Sequence, residues 1–486
     1  LKNSRSVRDI GVSRKFLPID TSKELASVFR TARKTSSPVL AVVIGTKPDF
    51  YKQAPLVLEA AKRKLPVFVI NTGQHFDELL GHGIEEFDLD SFIGCNLQIR
   101  GDLMEKAAEL MFKFGNFGRF CKSRFGTEPL LPIVHGDTLV AGIAALSWAF
   151  GIGQKVGQNE AGLRSMSPEA IKSLRPAEEP SKTRIEKFVH DQFHGKWFLA
   201  REEPFPEQID TWICSAGTQF FFAPTQLNKD HLVREGYPEE FVHVVGNSVV
   251  DAIHMKRKQK PEESIFDLYP ALERDQWVRV DIHRRENLTP RRFSSIVGAL
   301  TDLVRNTDKK IVLVMLNATA AALIQYDLES KLQRLAERYP DKFLITPLWK
   351  EYAHVVEFLD SGHCWAEMTD SGSMQEELLY FPKVLSLTVR LNTDRPETVF
   401  DARSNILLPP VNSHWIVSML NEAYRKPSEL GQQLSKKKQL YGQPGQVSKK
   451  IINIVKKEFD SGEANFYPWL HQRLGLWKER QALGYL

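Results

Sequence analysis

The sequence predicts an α/β chain of two doubly wound, parallel-sheet domains facing a cleft. Three observations carry that expectation. Short apolar runs alternate with helix-patterned stretches along most of the chain. The runs are continuous instead of alternating, as strands covered on both faces require. They also fall into two blocks, with a break near residues 225–245.

In the first block Val39–Ile44, Val67–Ile70, Pro132–His135 and Phe220–Phe222 read as buried strands, with a shorter run around Val156. The second block contributes Val242–Val245, Val278–Ile282, Ile311–Leu316, Phe343–Leu348, Cys364–Met368, Val384–Val389 and Ile406–Leu408. Leu139–Ile152 is interrupted by Ser and Gly and falls short of the roughly 20 apolar residues of a membrane span. It reads as a buried helix, and Ile209–Gln219 as a second helix. From about Lys436 the chain is Lys-rich and then aromatic (Phe466, Tyr467, Trp469, Trp477), a composition expected to pack back on the body.

Composition narrows the function. The chain has 486 residues, 42% of them hydrophobic, and a net charge of +5, which is mild for this length. That charge suits an anionic small substrate; a nucleic-acid partner would need a concentrated basic face. Cys95, Cys121, Cys214 and Cys364 lack CxxC or zinc-like spacing, so no structural metal and a reducing cytoplasm are expected. Residues 1–34 are basic and polar, without the apolar core of a signal peptide. No membrane partner is expected.

Ligands of open parallel sheets bind beyond the carboxyl ends of the strands. Polar residues gather at those ends: Gly45-Thr46-Lys47, Gln74-His75, His135-Gly136-Asp137-Thr138, Glu160, Asn247 and His283-Arg284-Arg285-Glu286. Ser371 and Arg395 complete the set. Capping explains one such cluster, but not a mixture of carboxylate, imidazole, guanidinium and amine. The segment Thr369–Glu377 reads as strand, Ser-Gly-Ser turn and helix, offering backbone N–H groups to a phosphate and carboxylates to sugar hydroxyls. Lys47 and Lys52 read equally as diphosphate or sugar contacts and as solvated helix-end lysines. Asp137 and Glu160 read as an acid–base pair, with helix capping an alternative for Asp137. Glu207 reads first as a helix-dipole partner. His283 beside two arginines makes an anion pocket with an acid–base group. Arg395 reads as a phosphate ligand or an exposed loop residue. The other histidines (His190, His194, His243, His354, His414) have no metal-like spacing.

Taken in order, GTKPDFYKQAPL, TGQH, VHGDT, EAGLR, PFPEQ, GNSVVDA, HRREN, TDSGSMQEE and DRPETV resemble the UDP-N-acetylglucosamine 2-epimerase family, over roughly residues 38–430. The resemblance implies two Rossmann-like domains of the GT-B type. It places the N-terminal domain at 38–240 after a 1–37 extension, with an insertion at about 165–203. The UDP-binding domain follows at 241–435, then a helical extension at 436–486. It implies C2 epimerisation of UDP-N-acetylglucosamine to UDP-N-acetylmannosamine through UDP elimination and re-addition, without a cofactor or metal, in a homodimer. The family's catalytic acids fall on Asp137, Glu160 and Glu207 and its histidine on His283. Substrate contacts fall on Lys47, Lys52, Gln74, Arg164, Asn247, Arg284, Ser371, Gly372, Ser373 and Arg395. Glu377 takes the ribose, and Tyr352 contacts uracil through ring or backbone. The alternatives are the hydrolysing branch, which releases N-acetylmannosamine and UDP, a GT-B glycosyltransferase, and a non-catalytic sugar-nucleotide sensor.

Several positions depart from the family pattern. Lys47 and Thr211 stand where arginines are usual, and Ser373 replaces a glycine. The segment 165–203 is longer than the usual connection and is expected to act as a lid over the sugar, or else as a surface excursion. Met315 and Asp77 replace residues of the family's allosteric substrate site. Rates should therefore rise hyperbolically with substrate; a sigmoidal curve that Gln74→Ala abolishes would contradict this.

Overall fold

In the computed structural model, which describes residues 22–73, 83–126, 130–201, 203–259, 261–349, 351–424 and 438–460, the first strand is β1 (Val39–Ile44), VLAVVI, buried at every position. Burial on both faces is what makes such a strand apolar throughout. β2 (Val67–Asn71), β3 (Ile93–Asn96), β4 (Leu130–His135) and β5 (Val156–Asn159) follow. The chain then forms a small antiparallel pair, β6 (Met166–Pro168) with β7 (Trp197–Leu199). β8 (Thr218–Ala223) and β9 (Val242–Val244) complete the first sheet, whose order is β3-β2-β1-β4-β5-β8-β9. The second sheet comprises β10 (Trp277–Asp281), β11 (Lys310–Met315), β12 (Phe343–Pro347), β13 (Cys364–Thr369), β14 (Leu385–Thr388) and β15 (Asn405–Leu407). Its order is β12-β11-β10-β13-β14-β15. Every neighbouring pair in both sheets is parallel. The order reverses beside β1 and β4 in one sheet and beside β10 and β13 in the other. Such a reversal leaves a crevice at the carboxyl ends of the strands.

The chain divides into two units, residues 1–163, 206–252 and 441–486 in the first and 164–205 and 253–440 in the second. The first core is rich in aromatic rings: Phe29 stacks on Phe125 with centroids 4.4 Å apart, and Phe114 meets Trp148 edge to face at 5.5 Å. Its two long helices, Leu103–Phe125 and Leu139–Ile152, approach closely over glycine. A Cβ on Gly118 would lie 2.5 Å from a Trp148 ring carbon. The helix Ser22–Thr35 belongs to this core, although residues 1–37 were expected to be an extension. Its apolar residues Leu25, Phe29 and Ala32 recur at i, i+4 and i+7, and all are buried. The helix Val447–Asp460 also joins this unit, burying Val447, Ile451, Ile452 and Val455. The expected aromatic residues Phe466, Tyr467, Trp469 and Trp477 lie outside the described residues.

Two expected boundaries move. The first unit extends past residue 240 to 252, because the chain at 247–248 bonds to it. Asn247 N–H donates to the Tyr441 carbonyl at 2.9 Å, and Asn159 Nδ2 donates to Ser248 Oγ at 2.9 Å. The segment 165–203, expected as an insertion of the first domain, is instead built into the second unit's core. Its helix Lys182–His194 buries Ile185, Phe188, Val189 and Phe193, and Phe188 meets Trp415 edge to face at 5.4 Å. The Gln192 amide caps the outermost strand, accepting from Leu407 N–H at 2.8 Å and donating to Leu407 C=O at 3.0 Å. At the entrance Met166 exchanges two 2.8 Å backbone bonds with Thr393. At the exit Glu203 accepts from Arg292 at 3.0 and 3.3 Å and from Asn392 Nδ2 at 3.2 Å.

All four cysteines are buried and free. No described helix is long and apolar enough to cross a membrane. The packing of the excursion makes a direct prediction. Phe188→Ala should cost about 3–5 kcal/mol, the range for a fully buried aromatic. A lid closing only over substrate would lose less than about 1 kcal/mol in denaturant unfolding of the free protein, and that result would overturn this assignment.

Candidate functional site

In the first unit the turn after β1 opens the helix Lys47–Lys62, whose Asp49 folds back on it. Asp49 Oδ2 accepts from the N–H groups of Gly45 at 2.8 Å and Thr46 at 2.7 Å. Its other oxygen meets His135 Nδ1 at 2.7 Å, so one carboxylate joins the turns after β1 and β4 across the reversal. His135 Nε2 lies 3.1 Å from Glu160 Oε2. Glu160 Oε1 forms an ion pair with Lys52 and accepts from Asn247 Nδ2 at 2.5 Å. Glu160 is fully buried and its backbone is left-handed, with φ 59°. A non-glycine residue held there costs about 1–3 kcal/mol, a strain that concentrates at functional positions. Gly162, two residues on, has φ 82°, and a Cβ would lie 2.3 Å from the Asn228 carbonyl oxygen.

Burial opposes a charge on His135, but the Glu160 carboxylate and the hydrogen bonds to Asp49 and Glu160 outweigh it. Its pKa rises to about 9, and the ring is cationic at neutral pH. Asp49, His135, Glu160 and Lys52 therefore form a buried chain of alternating charge. Lys52 is 1% exposed, so it is not a solvated helix-end lysine. Lys47 is half-buried, its ammonium 5.9 Å from the Tyr51 ring centroid.

Asp137 does not cap a helix. Thr138 caps Leu139–Ile152, its Oγ accepting from Ala141 N–H at 3.2 Å. Asp137 is left buried at the crevice, and its charge reaches Asp210 together with that of Glu207. Glu207 is the first residue of the helix Glu207–Ala216, which starts and stops earlier than expected because Thr218 already belongs to β8. Asp210, which sequence reasoning passed over, is buried. Desolvation, then the charges of Glu207 and Asp137, push its pKa up to about 8.

The second unit repeats the stitch. Asp370, fully buried after β13, accepts from the N–H groups of His283 and Arg284, both at 3.0 Å, and from Asn287 Nδ2 at 3.0 Å. It thereby ties the turn after β10 to its own. The His283 ring lies 3.2 Å from Asp370, with the side chain 34% exposed. Ser371 caps the helix Gly372–Glu377, whose terminal carboxylate is held at both oxygens, by Ser373 Oγ at 2.6 Å and by Tyr352 Oη at 2.7 Å. Tyr352, expected to contact uracil through ring or backbone, turns its hydroxyl toward this helix. Its ring is 3% exposed, because the hydroxyl must reach inward to Glu377. Arg395 is no exposed loop residue. It is buried, donates from Nε to Glu376 at 2.8 Å and pairs with Asp394 at 2.6 Å. A Cβ on Gly372 would lie 2.8 Å from Arg395 Nη1, so only glycine lets the guanidinium rest on this turn. Arg164 is buried in the same unit. Gln74 and Asp77 lie outside the described residues. Among the described residues no His, Cys, Asp or Glu group is arranged to hold a metal ion.

Asp49, Asp210 and Asp370 were not singled out from sequence, and His135 was named only within the polar cluster after β4. The available signal was position alone, since each lies inside or beside a motif already quoted.

Residues 199–456 match the model of the family described as UDP-N-acetylglucosamine 2-epimerase. The UDP-N-acetylglucosamine 2-epimerase of Methanococcus maripaludis is 26% identical over 76% of this chain and 87% of its own length. That of Escherichia coli K12 is 27% identical over 85% and 97%. Among solved structures, the Methanocaldococcus jannaschii UDP-GlcNAc 2-epimerase in complex with UDP-GlcNAc and UDP is 25% identical. It aligns with a TM-score of 0.67 over 86% of this chain and 99% of its own. The Neisseria meningitidis enzyme bound to UDP-GlcNAc is 24% identical, with a TM-score of 0.66 over 86% and 100%, and shares the fold. The GT-B fold class expected from the sequence holds.

The buried charge chain has a pH signature. The folded pKa of His135, near 9, exceeds its ordinary 6.5, so its stabilisation is complete below about pH 6.5 and lost as pH rises through 9. The amount is on the order of 3 kcal/mol. The melting temperature should fall across that window, and His135→Gln should flatten the slope. Parallel slopes in the two proteins would show that this histidine does not carry the effect.

Proposed function

This chain belongs to the UDP-N-acetylglucosamine 2-epimerase family, and on that premise we propose that it interconverts UDP-N-acetylglucosamine and UDP-N-acetylmannosamine by eliminating and re-adding UDP. The observation that carries the reading is the unequal surroundings of three carboxylates in the first unit. Glu160 is enclosed by Lys52, cationic His135 and Asn247, whereas Asp137 and Glu207 share theirs with Asp210. Carboxyl groups whose environments differ in this way divide into acid and base.

The chemistry needs such a division. The C2 proton of the sugar is not acidic until the C1–O bond to UDP lengthens and positive charge builds on the ring. Elimination then moves the C2 proton to a base and leaves a 2-acetamidoglucal. Protonation from the opposite face and return of UDP to C1 complete the inversion. Asp137, Glu160 and Glu207 supply these proton transfers, with His283 as the second unit's acid–base group. Departure of the diphosphate is assisted by Lys47, Arg284, Arg395 and Arg164, and by the Ser371–Gly372 turn. Glu377, steadied by Ser373 and Tyr352, accepts the ribose hydroxyls. Gln74 completes the sugar contacts. Lys52 and Asn247 act on the sugar by holding Glu160.

The GTKPD, HRREN and TDSGSMQEE segments favour the non-hydrolysing branch. We place the reaction in the cytoplasm, in a homodimer as is the family's habit, supplying polysaccharide synthesis. The test is NMR of UDP-N-acetylglucosamine incubated with the protein in heavy water. A UDP-linked manno product carrying deuterium at C2 is expected. Free N-acetylmannosamine with UDP would instead assign the hydrolysing branch, and an untouched substrate would end the epimerase reading. Glu160→Gln should lower turnover by about 10²–10⁴. UDP affinity should stay within roughly threefold of wild type, because the groups assigned to the diphosphate and ribose are mostly in the second unit.

A further inference from the structure

We propose that Asp210 is the proton-relay partner of Glu207: a neutral carboxyl group that passes its proton to Glu207 and takes another from Asp137 within each catalytic cycle. The inference rests on the epimerase reading above and adds a residue to it. One O–H bond breaks on Asp210 as another forms on Glu207, and the O–H bond formed on Asp137 when it takes the C2 proton breaks as Asp210 is reprotonated, so nothing is consumed.

Position is the first argument. Glu207 and Asp210 are three residues apart in the first turn of one helix, which sets their side chains on the same face. The Asp210 backbone is pinned: its N–H donates to Pro206 C=O at 3.1 Å, and a Cβ on Gly142 of the facing helix would lie 2.9 Å from its carbonyl oxygen. The side chain is buried, and its Oδ2 has no hydrogen-bond partner.

Charge is the second. The facing helix, Leu139–Ile152, carries no ionisable side chain. The charged groups acting on Asp210 are Glu207 on its own helix and Asp137 from the turn before the facing one, both acidic. The arginine that the family pattern would place next door is Thr211 here, and its hydroxyl is directed to the Leu163 carbonyl at 3.4 Å. A buried carboxylate with two acidic neighbours and, among the described residues, no cation acting on it is unfavourable as an anion. Protonation removes that cost, in line with the upward shift already described.

Chemistry supplies the use. Inversion takes a proton from one face of C2 and returns one to the other. Each turnover therefore leaves the donor depleted and the acceptor loaded, and the two must be reset before the next turnover in the same direction. A protonated carboxyl beside Glu207, sensing Asp137 as well, is placed to do this without water entering the site.

The free protein is examined first, by infrared spectroscopy of its carboxyl groups. A protonated-carboxyl band that fades near pH 8 is expected in the wild type, absent in Asp210→Asn and retained in Asp210→Glu. Glu207→Gln removes a neighbouring charge and should move the midpoint downward. In turnover, Asp210→Asn should lower kcat roughly tenfold with KM little changed, and the alkaline limb of its pH profile should vanish. Asp210→Glu should restore that limb. A band unaffected by Asp210→Asn, or a kcat–pH profile of unchanged shape, would overturn the relay while leaving the epimerase reading intact. A titrating band in a protein that never exchanges hydrogen at C2 would overturn both.

Discussion

Where the strand order of a parallel sheet reverses, two adjacent strands send their chains to opposite faces, and the N–H groups of both turns lose their sheet partners. Each unit answers this with one buried carboxylate. Asp49 takes two N–H groups of its own turn and the imidazole of the neighbouring one. Asp370 takes two N–H groups and an amide from the neighbouring turn. The direction of the stitch differs, but its effect is the same. Two turns that would otherwise move independently are fixed to each other, and the proposed acid–base and anion-binding side chains project from them. Because an unmet buried carboxylate is costly, these two acids tolerate little displacement of the turns they hold.

From these anchors the polar groups divide by unit. The first unit gathers carboxyl groups in contrasting surroundings, one enclosed by cations and an amide, another beside its own kind. The second gathers a partly exposed imidazole, a guanidinium resting on glycine, and a carboxylate steadied by two hydroxyls. The same backbone geometry thus presents different side-chain chemistry in the two units.

Much of this was legible in the sequence. Runs such as VLAVVI are readable because a strand covered on both faces needs apolar residues throughout. β3, Ile-Gly-Cys-Asn at the sheet margin, has no such run and was missed, as were the three-residue strands β6 and β7. The excursion was misjudged because charge along helix Lys182–His194 masks a buried stripe, and only the fold shows what that stripe meets. The stitch between Asp49 and His135 spans 86 positions, a separation at which no local pattern speaks. Asp210 escaped because an acid in the first turn of a helix is commonplace; its burial and acidic neighbours make it unusual, and neither is written locally.

The Gln192 amide seated on Leu407 bears on chains that lack this excursion. An outermost strand with bare N–H and C=O groups is a template on which a strand of another molecule can grow, the first step toward swapped or fibrous assemblies. Here a side chain from a distant part of the sequence occupies that template. Shortening the excursion to the usual family length would therefore leave a protein prone to self-association, even if its chemistry were untouched.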